Sequence, residues 1–203
     1  MKRLLRLLVC CVLAPACAFA QTPDVKALAE AMSHGGYVIV FRHGATNRDQ
    51  ADTDPLNHDN VASQRLLSQT GREVARQVGD SFKALRIPIG RAYTSKFNRA
   101  VETGKLIAAG EVTATIDITE GGLVATPIEN DRRAEALKKM AATLPEQGKN
   151  TLIVTHKPNI IDAFGKDWFD VKEGEASIFR PDSSGKAILV ARVQAADWVR
   201  ATK

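Results

Sequence analysis

The chain has 203 residues, 44% of them hydrophobic and 25% charged, which is enough for one hydrophobic core and too little for two large domains. Its 14 glycines and 8 prolines follow no repeat, and the continuous apolar stretch is confined to the N-terminus, so collagen-like, low-complexity and multi-pass membrane proteins are excluded. The formal charge of +5 is not gathered into a basic stripe with interleaved aromatics, so nucleic acid is not an expected partner.

Lys2, Arg3 and Arg6 precede an apolar run that ends in Ala18-Phe19-Ala20, the small-x-small pattern of a cleavage site. Residues 1–20 are expected to be a secretory signal peptide and residues 21–203 a single domain, periplasmic or secreted, with no stable membrane span after processing. Two other readings stay open. An anchor helix is opposed by the shortness of the run and by Pro15, and lipoprotein processing at Cys17 is opposed by the preceding Ala14-Pro15-Ala16. Processing removes three of the 28 basic residues and none of the 23 acidic ones, leaving a net charge of +2. It also removes Cys10, Cys11 and Cys17, so the mature chain holds no disulfide, thiolate nucleophile or sulfur-rich metal site.

Asp24 to Met32 carries apolar residues at helical spacing and is stopped by His34-Gly35-Gly36. Tyr37 to Phe41 is a continuous β-branched and aromatic run, the mark of a strand covered on both faces. Gly44 to Gln64 is rich in Asp, Asn and Thr, contains Pro55 and has no period, so it reads as a long loop, of a length that usually signals function or disorder. Ser68 or Thr70 caps a helix whose apolar side carries Val74, Val78, Phe82 and Leu85, ending before Ile87-Pro88. Arg91 to Ser95 reads as a short strand and Asn98 to Ala109 as a helix stopped by Gly110. Val112 to Ile118 is β-rich, Thr119 to Glu129 is a loop, and a helix runs from about Asp131 to Leu144. Thr151 to Thr155 is a second strongly apolar strand, and Pro158 sits where a helix to Phe164 would begin. Two strands, Ala176–Arg180 and Lys186–Val193, flank a turn at Pro181 to Gly185. Trp198 and Val199 follow, expected to pack on the domain or against a partner. The pattern is α/β, a mostly parallel central sheet flanked by helices with a more antiparallel end.

Ligands of open α/β sheets bind at the carboxyl ends of strands, and the polar residues there repay reading. The first strand runs into Arg42-His43-Gly44-Ala45-Thr46, the strand from Thr151 into His156-Lys157, and the strand ending at Ser95 into a turn bearing Arg99. These residue types suit phosphoryl transfer without a metal. An uncharged imidazole is a nucleophile toward phosphorus, arginines orient and neutralise the phosphoryl oxygens, and a carboxylic acid protonates the leaving oxygen. Gly44 would let backbone approach a bound phosphate closely. No GxxxxGK[ST], GxSxG, HExxH or CxxC motif is present. The loop residues Asp49, Asp52, Asp54, His58 and Asp59 leave a metal site open as an alternative to a solvated acidic loop.

The segment Arg42-His43-Gly44-Ala45-Thr46, its place after a Val-Ile-Val strand, the Leu67-Ser-Gln-Thr-Gly71 segment, Thr94-Ser95 with Arg99, and Thr155-His156 together resemble the histidine phosphatase superfamily, which includes the cofactor-dependent phosphoglycerate mutases. The resemblance implies a phosphoglycerate mutase-like fold and a phosphohistidine formed on His43, with Arg42, Arg99 and His156 holding the phosphoryl group and supplying positive potential. It implies no cofactor and no metal. Glu120 stands where the family's acid is expected, with Glu129 and Asp131 as rivals. The branch whose acid directly follows its second histidine fits less well, because Lys157 holds that place. Asn47 and Thr46 are candidate substrate-binding residues beside Gly44, while Arg48, Gln64 and Arg65 are read as surface cover, and Lys157 either adds positive potential near His156 or faces solvent. The expected function is an exported, metal-independent phosphomonoesterase acting on a small phosphomonoester or an envelope phosphosugar, its oligomeric state open. The alternatives are a phosphate-binding or regulatory module with little turnover, and a metal-dependent hydrolase built on the Asp/His loop.

Overall fold

Among the described residues six strands form one sheet: β1 (Val38–Arg42), β2 (Ile89–Ser95), β3 (Thr113–Thr115), β4 (Asn150–Thr155), β5 (Glu175–Pro181) and β6 (Ala187–Gln194). They lie in the order β3-β2-β4-β1-β5-β6. This is a computed structural model, and it describes residues 24–121 and 124–203; the expected signal segment and its three cysteines lie outside the described residues. β1, β2, β3 and β4 are mutually parallel, and β5 runs antiparallel to both β1 and β6. The expected α/β architecture, a mostly parallel sheet with an antiparallel end, is the one observed.

Among the described residues six α-helices cover the sheet: α1 (Val25–Ser33), α2 (Gln69–Ala84), α3 (Asn98–Ala108), α4 (Pro127–Ala141), α5 (Lys157–Phe164) and α6 (Ala195–Ala201). Strand side chains alternate between faces, so β1 contributes Ile39 and Phe41 to a core shared with α1, α2, α3 and α6, and Val38 and Val40 to a second core under α4 and α5. Burial on both sides is why β1 and β4 read as unbroken apolar runs. Asp24 caps α1 by accepting from the amides of Lys26 and Ala27, and Ser68 caps α2 by accepting from Gly71.

Three expectations need correction. The β-rich segment from Val112 forms a strand only over Thr113–Thr115; Ile116–Ile118 is a 3₁₀ turn whose first amides are met by the Thr115 hydroxyl, which accepts from Asp117. The fourth helix starts at Pro127 rather than near Asp131, because Thr126 caps it by accepting from the Glu129 amide and proline suits its first turn. A short helix, α6, closes the chain directly after β6, held by a reciprocal capping box between Gln194 and Asp197. It carries Trp198 into the core, fully buried, edge-on to Phe82 at 5.1 Å between ring centroids.

The long loop is tied back on the domain by a bridge between Thr46 and Leu67, by Asp52 accepting from the Arg65 amide, and by Gln64 donating to the His58 carbonyl. Its entry demands glycine at a backbone crossing. A Cβ on Gly71, in the first turn of α2, would lie 2.0 Å from the Ala45 carbonyl oxygen. On Gly44 it would lie 3.0 Å from the Gly71 oxygen. The crossing clamps the start of α2 onto the segment that follows β1.

Truncating Trp198 removes the largest fully buried side chain. Trp198→Ala is expected to cost about 3–5 kcal/mol of stability, read as a lowered urea midpoint, with Trp198→Phe losing distinctly less.

Candidate active site

The ladder between β1 and β4 pairs Arg42 with Thr155, so the next residues, His43 and His156, emerge side by side at the carboxyl ends of the two central strands. The His43 amide donates to the Thr155 carbonyl at 3.0 Å, extending the pairing by one step. The imidazole rings meet edge to face with centroids 5.1 Å apart. Both are buried, 2% and 1% exposed.

His43 Nδ1 lies 2.8 Å from the Gly44 carbonyl oxygen, which can only accept. Nδ1 therefore carries the proton, and the lone pair sits on Nε2. Burial, then His156, Arg99 and Arg42, push the His43 pKa well below its ordinary value, against the opposing pull of the Gly44 carbonyl. A neutral imidazole with an unshared pair on Nε2 results, the form that attacks phosphorus. His156 Nε2 lies 2.6 Å from Ser95 Oγ, and its Nδ1 is 3.4 Å from Glu120 Oε1. Burial first, then Arg99, Arg65 and Arg42, also drive the His156 pKa well down. This direction runs against the expectation that His156 supplies positive potential in the free protein.

Arg99 is fully buried at the second position of α3, with its guanidinium 4.2 Å from the centre of the Phe97 ring. Its Nη1 donates to Asp52 Oδ1 at 2.9 Å and to the Arg65 carbonyl at 3.3 Å, and its Nη2 donates to Glu120. Arg42 donates to the Val171 carbonyl at 2.7 Å and lies 3.7 Å from Glu173. Glu120 is held in place from behind, since the preceding Thr119 carbonyl accepts from Arg133 at 2.8 Å and from Asn159 at 3.3 Å. Of the three candidate acids it is the one that touches the cluster. Glu129 is bound to Arg132 and Arg133, which hold its pKa at about 2, and Asp131 faces Asp162.

The structure thus brings Arg42, His43, Arg99, Glu120 and His156 together. Three other candidates are placed differently. The Gly44 amide donates to Thr103 Oγ1 at 3.1 Å, so it braces the His43 turn on α3 and is not offered to a phosphate. Asn47 turns toward the loop, its side chain donating to Gln50 and its amide to the Leu66 carbonyl, the behaviour of a turn residue. Thr46 is buried and donates to Glu173 at 3.2 Å. Lys157 lies with its ammonium 4.5 Å from the centre of the Phe169 ring. Sequence reasoning missed Ser95 as the partner of His156, Asp52 as a partner of Arg99, Glu173 beside Arg42, and Arg65, which was read as surface cover yet acts electrostatically on both His156 and Arg42. Of the loop residues in the alternative metal reading, Asp52 serves Arg99, Asp54 accepts from Asn60, and His58 packs on Phe97. Among the described residues no three His, Asp or Glu side chains converge to hold a cation. Nor is any described helix long and apolar enough to cross a membrane.

Residues 38–122 match the family model of the histidine phosphatase superfamily (branch 1), a span that holds Arg42, His43, Arg99 and Glu120. The protein histidine phosphatase SixA in complex with tungstate superposes with a TM-score of 0.55 at 18% identity, over 79% of this chain and 98% of its own. The chain has the fold of the histidine phosphatase superfamily. A mutant phosphoserine phosphatase from Entamoeba histolytica in complex with phosphoserine shares the fold with a TM-score of 0.52 at 16% identity, over 79% and 98% of the two chains. The mycobacterial glucosyl-3-phosphoglycerate phosphatase with inorganic phosphate gives 0.54 at 15% identity, over 80% and 98%. No curated protein sequence matches the chain. The paired strand ends that carry His43 and His156 are therefore part of a histidine phosphatase fold, with His156 beyond the span that the family model covers.

Both histidines titrate below their unfolded value near 6.5. The unfolded chain then binds more protons than the folded one at acid pH, so their contribution to stability is complete above about pH 6.5 and is lost as pH falls. The urea midpoint is expected to drop between pH 7 and pH 5, and the drop to shrink in a His43→Gln/His156→Gln double variant. An equal drop in both proteins would show that the histidines are not buried neutral.

Proposed function

We propose that the protein is a member of the histidine phosphatase superfamily that hydrolyses phosphomonoesters through a phosphohistidine on His43. The observation that carries this reading is the Gly44 carbonyl on His43 Nδ1, which leaves Nε2 unprotonated, within the electrostatic reach of Arg99 and Arg42 and beside a second buried histidine. The fold shared with phosphatases whose names specify phosphohistidine, phosphoserine and glucosyl-3-phosphoglycerate supports the same reaction class.

In the first step the Nε2 lone pair forms a bond to phosphorus and the bond from phosphorus to the ester oxygen breaks in line with it. Arg42 and Arg99 take up charge on the phosphoryl oxygens, and protonated Glu120 delivers its proton to the departing oxygen. In the second step water attacks phosphorus, Glu120 takes its proton, and the P–N bond breaks to return neutral His43 and inorganic phosphate. His156 donates to the phosphoryl group, oriented by Ser95. The charge comes from guanidinium groups already in the site, and no step calls for a metal. Hydrolysis is favoured over mutase chemistry, because an exported protein has little access to glycolytic intermediates. Export itself is supported by Lys2, Arg3 and Arg6 ahead of an apolar run that closes with Ala18-Phe19-Ala20.

The test is phosphomonoester hydrolysis from pH 4 to 8 with EDTA present, combined with an acid-free quench and intact mass. Wild type is expected to turn over, to show a transient phosphoryl adduct, and to lose both in His43→Ala. EDTA-sensitive activity that survives His43→Ala would falsify the mechanism. The acid limb of kcat/KM is expected below pH 6.5, the side to which the lowered His43 pKa points. Glu120→Gln should lower kcat by about 10²-fold or more for poor leaving groups and far less for nitrophenolate, a contrast that a mere packing defect does not produce.

A further inference from the structure

A cleft of about 460 Å³ opens directly beside Glu120, between the long loop and the start of α4. Glu120 is common to this cleft and to the histidine cluster, so the cleft adjoins the side of the site from which an alcohol would leave. The volume lies within the range of small-molecule pockets. Its walls are unequal in chemistry. Pro55, Leu56, Ile116, Val124 and Ala125 give it aliphatic surface, and Leu56 and Val124 are 74% and 49% exposed, an arrangement that leaves apolar area in water until something covers it.

The charged lining points the same way. Arg133, the sole lysine or arginine among the described lining residues, is spent on the Thr119 carbonyl and on Glu129. The two glutamates of the lining are themselves engaged, Glu129 with Arg132 and Arg133 and Glu120 with Arg99. His58 packs on Phe97 with its centroid 5.2 Å away, and burial and the nearby Lys96 and Arg133 lower its pKa, so it brings no charge at neutral pH. A leaving group that carried a carboxylate or a second phosphate would find no lysine or arginine of the described lining free to answer it.

We infer that this cleft is the leaving-group pocket and that it selects phosphomonoesters of uncharged alcohols or phenols with an apolar face, against phosphorylated acids and bisphosphates. The inference rests on the phosphatase reading for the word leaving group, but the binding preference stands on the cleft itself. It sets this chain apart from a phosphatase that accommodates phosphoserine, whose alcohol portion is charged.

Binding of stable phosphonates tests it without turnover. Calorimetry compares benzylphosphonate, phosphonoacetate and inorganic phosphate on the wild-type protein and on Leu56→Asn/Val124→Asn, a double variant at two solvent-facing positions outside the histidine cluster. Benzylphosphonate is expected to bind at least about tenfold more tightly than phosphonoacetate, and the double variant to lose about tenfold on benzylphosphonate while its phosphate Kd stays unchanged. Phosphonoacetate binding as tightly as benzylphosphonate, or a double variant that binds benzylphosphonate like wild type, overturns the pocket. A protein that shows the expected binding yet hydrolyses no phosphomonoester keeps the pocket and sinks the phosphatase reading instead.

Discussion

The parallel ladder that sets Arg42 opposite Thr155 fixes where everything else in the site must go. Because the two strands leave the sheet in register, His43 and His156 are delivered to neighbouring positions before any side chain chooses a rotamer. The Thr155 carbonyl then takes the His43 amide, and the Gly44 carbonyl takes His43 Nδ1. Backbone oxygens therefore set both the place and the tautomer of this imidazole, and a backbone acceptor does not drift with pH or ionic strength as a carboxylate partner does. Around this point α3 supplies Arg99 from its first turn, and the turn before α4 supplies Glu120. The segment before β5 folds back so that the Gly174 amide bonds the carbonyls of Arg42 and His43, bringing Glu173 alongside.

Burial is the second constraint. A guanidinium with no exposure is tolerable only if its charge is answered, and Arg99 finds Asp52, Glu120, a carbonyl and the face of Phe97. Loss of one partner from such a buried pair typically costs about 3–5 kcal/mol, so the long loop that provides Asp52 is bound to the site by the site's own charge. A histidine in the same surroundings resolves the conflict differently, by giving up its proton. The site thus answers its two arginines with carboxylates and shifts both histidines toward the neutral form, the one that is nucleophilic.

The sequence made the scaffold and the centre readable for physical reasons. β1 and β4 are covered on both faces, so their apolar runs are unbroken, and the residue after such a run is forced to the sheet's carboxyl edge, which exposed His43 and His156 to reading. Thr126 and Pro127 carried the true start of α4, but the acidic, glycine-bearing stretch before them drew the boundary too late. α6 escaped because it follows β6 with no intervening turn. The supporting residues were illegible for a different reason: Asp52 meets Arg99 across 47 residues and Ser95 meets His156 across 61, and no local pattern encodes such meetings. The turn role of Asn47, bonded to Gln50 and to the Leu66 carbonyl, was equally hidden, because its partners come from later in the loop.

The carboxylates that face the arginines have a bearing on traffic through the site. Arg99 is held by Asp52 and Glu120, and Arg42 stands opposite Glu173. Under the proposed mechanism an arriving phosphoryl group would trade places with these carboxylates instead of neutralising bare cations. Net affinity for inorganic phosphate would then be a small difference between two sets of ion pairs, which favours release of the product anion.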